Sequence, residues 1–180
     1  MPYTFTVPET EMYDEENNRF IFVKEQTLTI EHSLISISKW ESKWHKPFIS
    51  KQELTTEETL DYVRCMTLTQ NVKSETYLAI TPRILRDILE YMKDPMTGTR
   101  FREDPNAPKP KPKDISSEEI YYDMAALNIP FDPCEKWHIN RLITLIRVAS
   151  EKNNPKKKKM TAKERSALNN SRRKKYNTRG

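Results

Sequence analysis

At 180 residues, with 36% apolar and 32% charged side chains, the chain is long enough for one domain with a modest core and long polar appendages. Its two glycines, Gly98 and Gly180, exclude glycine-rich phosphate loops, dinucleotide fingerprints and nucleophile elbows, each of which needs glycine for positive φ or close backbone approach. The net charge of +5 is unevenly placed: residues 152–180 hold twelve Lys/Arg against the single acid Glu164, about +11, leaving 19 basic and 25 acidic side chains, about −6, in residues 1–151.

Residues 1–17 mix prolines, acids and spaced aromatics without a period and read as an extended arm that could add a strand. The β-branched and aromatic runs 19–24 and 27–32, joined by Glu25-Gln26, read as a small hairpin, although those turn residues are not the favoured ones. Residues 32–48 begin ambiguously. Ile35 and Ile37 alternate with serines as in a strand, yet Ser33 as N-cap followed by Ile37, Trp40, Glu41 and Trp44 fits a helix ended by Pro47, which is the reading adopted. Trp40 and Trp44 then form an aromatic edge, either core packing or a binding platform.

A helix capped by Thr55 or Thr56 follows, with Glu57, Glu58 and Asp61 in its first turns, then one capped by Thr81 with Pro82 in its first turn. Residues 94–114 contain five prolines and read as a Pro/Lys-rich loop. Ser116-Ser117-Glu118-Glu119 opens a helix closed by Asn128 and Pro130. After the Asp132-Pro133 break, residues 134–150 are the most apolar sustained run. They predict the central strut of the domain, antiparallel to the helix before it, with Trp137, His138, Asn140 and Arg141 as a polar head. Residues 152–180 form a basic C-terminal arm with too few aliphatic anchors to fold alone.

The expected fold is therefore mainly α: a single helical domain over residues 18–151 with an N-terminal β-hairpin, preceded by the arm 1–17 and followed by the basic arm. The expected core is Ile37, Trp40, Trp44, Leu60, Val63, Met66, Ile84, Leu85, Ile88, Leu89, Met124, Leu127, Leu142, Leu145, Ile146 and Ala149. Cys65 and Cys134 fit reduced thiols in a cytoplasmic setting. No basic-then-apolar leader and no run near 18 apolar residues is present, so neither a signal peptide nor a membrane span is expected.

No catalytic, metal or cofactor site is expected. Cys134 and His138 are spaced i, i+4 without any zinc-module pattern, and His32, His45 and His138 do not assemble a triad. Candidate partner-binding residues are Trp40, Trp44, Trp137, His138, Asn140 and Arg141. The basic arm offers Lys156, Lys157, Lys158, Lys159, Arg172, Arg173, Lys174, Lys175 and Arg179, which could neutralise nucleic-acid phosphates, with Tyr176 stacking on a base, or order on an acidic protein surface.

The segments SLISISKWESKWHKPF (33–48), TTEETLDYVRCMTL (55–68), YYDMAALNIPF (121–131) and KWHINRLITLIRV (136–148), followed by a lysine block and an RRKKYNTRG terminus, occur in an order that resembles a small protein encoded in the tail-gene cluster of many tailed bacteriophages. Members are commonly labelled tail assembly chaperones. The resemblance covers residues 33–180; Ala149 and Ser150, where the family has small polar or thiol residues, and the long Pro/Lys loop depart from it. It implies a non-enzymatic tail morphogenesis protein of the host cell cytoplasm that binds tail or tape-measure subunits. The alternative is a component of the virion tail, baseplate or connector whose basic arm docks on neighbouring subunits.

Overall fold

The computed structural model describes residues 1–15, 18–50, 53–101, 114–153, 166–167 and 169–172, in two compact units, Met1–Arg147 and Val148–Gly180. Most of the expected Pro/Lys loop, the lysine block 156–159 and the terminal basic residues from Arg173 onward lie outside the described residues.

The first unit opens with strands β1 (Tyr3–Val7), β2 (Thr10–Asp14), β3 (Arg19–Val23) and β4 (Gln26–Ile30). β1 pairs with β4 and β2 with β3, both antiparallel. Val7 lies opposite Gln26 and Thr10 opposite Val23, so the two ladders share one alignment and form a single long ribbon. The ribbon is interrupted where Pro8-Glu9 faces Lys24-Glu25; proline has no N–H to continue a ladder. The chain reverses between Asp14 and Arg19, where Asn18 takes a positive φ of 50°. Both strands of the expected hairpin therefore exist, but they pair with the segment expected to be an arm. Glu25-Gln26 lacks the positive-φ residues a two-residue hairpin turn requires.

This ribbon makes the fold mixed α/β, not mainly α: four strands stand beside the seven helices of residues 34–153 among the described residues. The inner ladder supplies core side chains absent from the expected list, with Phe5, Val7, Leu28 and Ile30 all buried. Its other face carries threonines paired across the strands, Thr4 with Thr29 and Thr6 with Thr27.

α1 (Leu34–Trp44) starts at Ser33, whose hydroxyl accepts the Ser36 amide while the Ser36 hydroxyl accepts the Ser33 amide. α2 (Thr56–Met66) carries the equivalent box from Thr55 and Glu58. Then come the short α3 (Ser74–Leu78), which the sequence did not announce, and α4 (Pro82–Lys93), capped by Thr81. α5 (Ser117–Ala126), the four-residue α6 (Phe131–Cys134) and α7 (Ile139–Asn153) complete the set. In the second unit, Ser166, Ala167 and Asn169–Arg172 are also helical. No helix among the described residues is long and apolar enough to cross a membrane.

The central strut is α1, not the run 134–150. α1 packs on α2 and α5 and buries Leu34, Ile37 and Trp40 completely, each worth about 2 kcal/mol in apolar area removed from water. α7 begins five residues later than expected and buries only Ile139 and Leu142, while Ile143 is exposed. Leu145, Ile146 and Ala149 are only half-buried, as are Trp44, Leu60, Ile84, Leu85 and Leu127, and Leu89 is exposed. α5 packs chiefly against α1, not against α7.

Glu41 ties this arrangement together. It is buried on α1, and its two carboxylate oxygens accept the Phe48 and Ser117 amides, each at 2.8 Å. Ser116 gives α5 no side-chain cap, so the Glu41 carboxylate caps it from another helix, with the favourable sign for a helix N-terminus. Replacing Glu41 by alanine would leave both amides without an acceptor and is expected to cost about 2–4 kcal/mol in urea denaturation at pH 7. Glu57→Ala, at an exposed position of α2, is expected to change stability by less than about 0.5 kcal/mol.

Candidate partner-binding surface

The two tryptophans of α1 separate. Trp40 is fully buried, donates its indole N–H to the Glu58 carbonyl at 3.0 Å and meets Phe48 edge-on, so it is a core residue. Trp44 stacks on Trp40, is half-buried and donates to the Asp61 carboxylate at 2.9 Å, where Lys43 also binds at 2.6 Å. Burial works to raise the Asp61 carboxyl; the hydrogen bonds from Lys43 and Trp44 outweigh it and hold the group below its usual range.

The expected polar head of the last helix divides in the same way. His138 is buried and precedes α7; its Nδ1 accepts the Asn140 amide at 3.3 Å, an N-cap made by imidazole. Its Nε2 therefore carries the proton and donates to the Tyr91 carbonyl at 3.3 Å. The Asn140 side chain donates to the Met92 and Asp94 carbonyls at 3.0 and 2.7 Å, closing the C-terminal end of α4. Trp137 is half-buried and Arg141 exposed, with the guanidinium 4.2 Å from the indole centroid. Of the basic residues, Arg172 lies in the helical stretch described in the second unit; Lys156, Lys157, Lys158, Lys159, Arg173, Lys174, Lys175 and Arg179 lie outside the described residues.

Cys134 ends α6 and His138 precedes α7, so the i, i+4 pair does not share a helix, and no metal-binding group of three ligands is found among the described residues. What the sequence did not reveal is a buried polar cluster around His32. Its Nδ1 lies 2.5 Å from the Tyr62 hydroxyl, which also approaches Ser36, and its ring meets His138 at 5.1 Å. The Tyr91 hydroxyl donates to Glu31 at 2.8 Å and accepts the His32 amide at 3.3 Å. Nothing in the sequence spacing brings residues 32, 62, 91 and 138 together.

The other feature that went unread is the outer half of the ribbon. Phe20 and Phe22 on β3 are 63% and 70% exposed, and Tyr13 on β2 is 49% exposed with its ring 5.1 Å from that of Phe20. A groove of about 600 Å³ runs along β3 from Arg19 to Gln26, closed on its far side by Asn71, Lys73, Glu75 and Thr76. The apolar and aromatic character of residues 19–24 was legible; that no other element among the described residues covers their aromatics was not.

Burial, followed by the charge of His138, pushes His32 down to about 3, and burial likewise lowers His138. In the unfolded chain both return to about 6.5, so the unfolded state binds more protons below that pH. The stabilisation is thus full above about pH 6.5 and is lost as pH falls toward the folded values. Urea midpoints measured from pH 6.5 to 5 are expected to fall, by up to about 1.4 kcal/mol per pH unit from His32, with His138 acting in the same direction, and to fall less steeply in His32→Gln. No protein-family model, curated protein or solved structure matches this chain.

Proposed function

We propose that this protein is a non-enzymatic bacteriophage tail morphogenesis factor, an assembly chaperone that binds tail or tape-measure subunits in the host cell cytoplasm before they polymerise. The observation that carries this reading is the uncovered aromatic face of the ribbon, with Tyr13, Phe20 and Phe22 in solvent. Contiguous exposed aromatics on a small domain favour a contact surface, because an isolated monomer gains nothing from keeping them wet. The order of the sequence segments at 33–48, 55–68, 121–131 and 136–148 supplies the phage-tail context.

A second reading has its own support. The separation of about +11 in residues 152–180 from about −6 in residues 1–151 suits a virion component whose basic arm docks on acidic neighbouring subunits.

Quantitative mass spectrometry distinguishes the two. The chaperone is expected to be abundant in infected-cell lysate and missing from purified virions, and its loss is expected to leave cells without complete tails. Stoichiometric recovery from virions would replace the first reading by the second.

A further inference from the structure

The ribbon's shared alignment has a consequence for its outer half. Counting by the antiparallel pairs, Tyr13 and Phe20, then Glu11 and Phe22, then Glu9 and Lys24 occupy the same alternation as Phe5 and Leu28 in the inner half. Of the inner members of this alternation Phe5, Val7, Leu28 and Ile30 are buried and Tyr3 and Gln26 half-buried; the outer members are exposed. The apolar side of the ribbon thus continues past the Pro8 break into solvent. On the opposite alternation Val23 is buried and Met12 and Ile21 are half-covered, so the outer ladder already has one side against the protein and presents the aromatic side outward.

The charges around this face decide what fits it. Glu11 stands directly across from Phe22, Glu9 and Glu15 are exposed at the two ends of β2, and Glu25 and Glu75 line the groove beside β3; these acids outnumber the cations Lys24, Lys73 and Arg19, the last held by Asp14. A second copy laid face to face would bring two sets of these acids together, and a nucleic acid would bring phosphates to them; both are opposed by like charge. A segment carrying Lys or Arg among apolar residues meets the opposite situation. Its apolar side chains cover the phenylalanines, and its cations find both carboxylates and the faces of three electron-rich rings.

We propose that the outer face of the ribbon, formed by Tyr13, Phe20, Phe22 and Glu11, is the docking site for a basic, apolar segment of a partner polypeptide. The inference rests on the reading of this protein as a binding module and specifies which surface binds and which chemistry it selects; it does not depend on whether the protein ends up in the virion.

The test uses the full chain and three fluorescently labelled peptides of equal length: lysine alternating with leucine, glutamate alternating with leucine, and lysine alone. Binding followed by anisotropy at low salt is expected only for the first, weakened at least about tenfold in Phe20→Ser/Phe22→Ser and about threefold in Glu11→Gln. Both variants replace exposed side chains, and an unchanged urea midpoint confirms that the fold is intact. Unaltered binding by the phenylalanine variant, equal binding of the glutamate peptide, or equal binding of the lysine-only peptide would each overturn the site as described. So would sedimentation showing a dimer of the wild-type chain that the double serine variant abolishes, since the face would then belong to a second copy. Recovery of the protein in virions, with the peptide result intact, would remove the chaperone role and leave the site standing.

Discussion

The first unit hangs on the three residues between β4 and α1. A chain passing from strand to helix inside a core cannot leave its backbone groups to water, and Glu31, His32 and Ser33 are all buried. Each elements' end that arrives there satisfies one of them. The Glu31 amide reaches the Met66 carbonyl at the end of α2, the His32 amide reaches the Tyr91 hydroxyl near the end of α4, and the His32 carbonyl accepts the Ile139 amide at the start of α7. Four stretches far apart in sequence thus meet at one junction through hydrogen bonds whose loss would strand buried polar groups at about 1–3 kcal/mol apiece.

That junction explains why His32 and His138 must stay neutral. His138 spends one ring nitrogen accepting the amide of α7 and the other donating to α4, an arrangement available only to the uncharged tautomer. His32 packs edge-on against it, so a proton on either ring would leave a charge in a space that excludes water, and protons on both would set two cations about 5 Å apart.

How much of this was readable follows from the range of the interactions. α1, α2 and α4 announced themselves through Ser33, Thr55 and Thr81, because capping acts within four residues, and α5 through the acids Glu118 and Glu119 of its first turn. The β1–β4 pairing links Tyr3 to Ile30, and no local signal reports a partner that distant; the residues of the reversal near Asn18 were a better turn signal than Glu25-Gln26. The apolar run 134–150 misled for a different reason. Apolar content does not reveal which element is surrounded, and α1, with serines at 36 and 38, is the one enclosed on several sides. Of the named contact residues, Trp44, Trp137 and Arg141 retain solvent access, whereas Trp40 and His138 were conspicuous in sequence because the core needs a large ring and a two-sided hydrogen-bonding group at those places.

The break at Pro8 separates two kinds of evolutionary constraint on one ribbon. Inside it, Phe5, Val7, Leu28 and Ile30 must keep their shapes, because the helices are packed around them. Beyond it, a change at position 20 or 22 alters no interior volume. The outer face can therefore vary, generation by generation, while the rest of the molecule is left as it was.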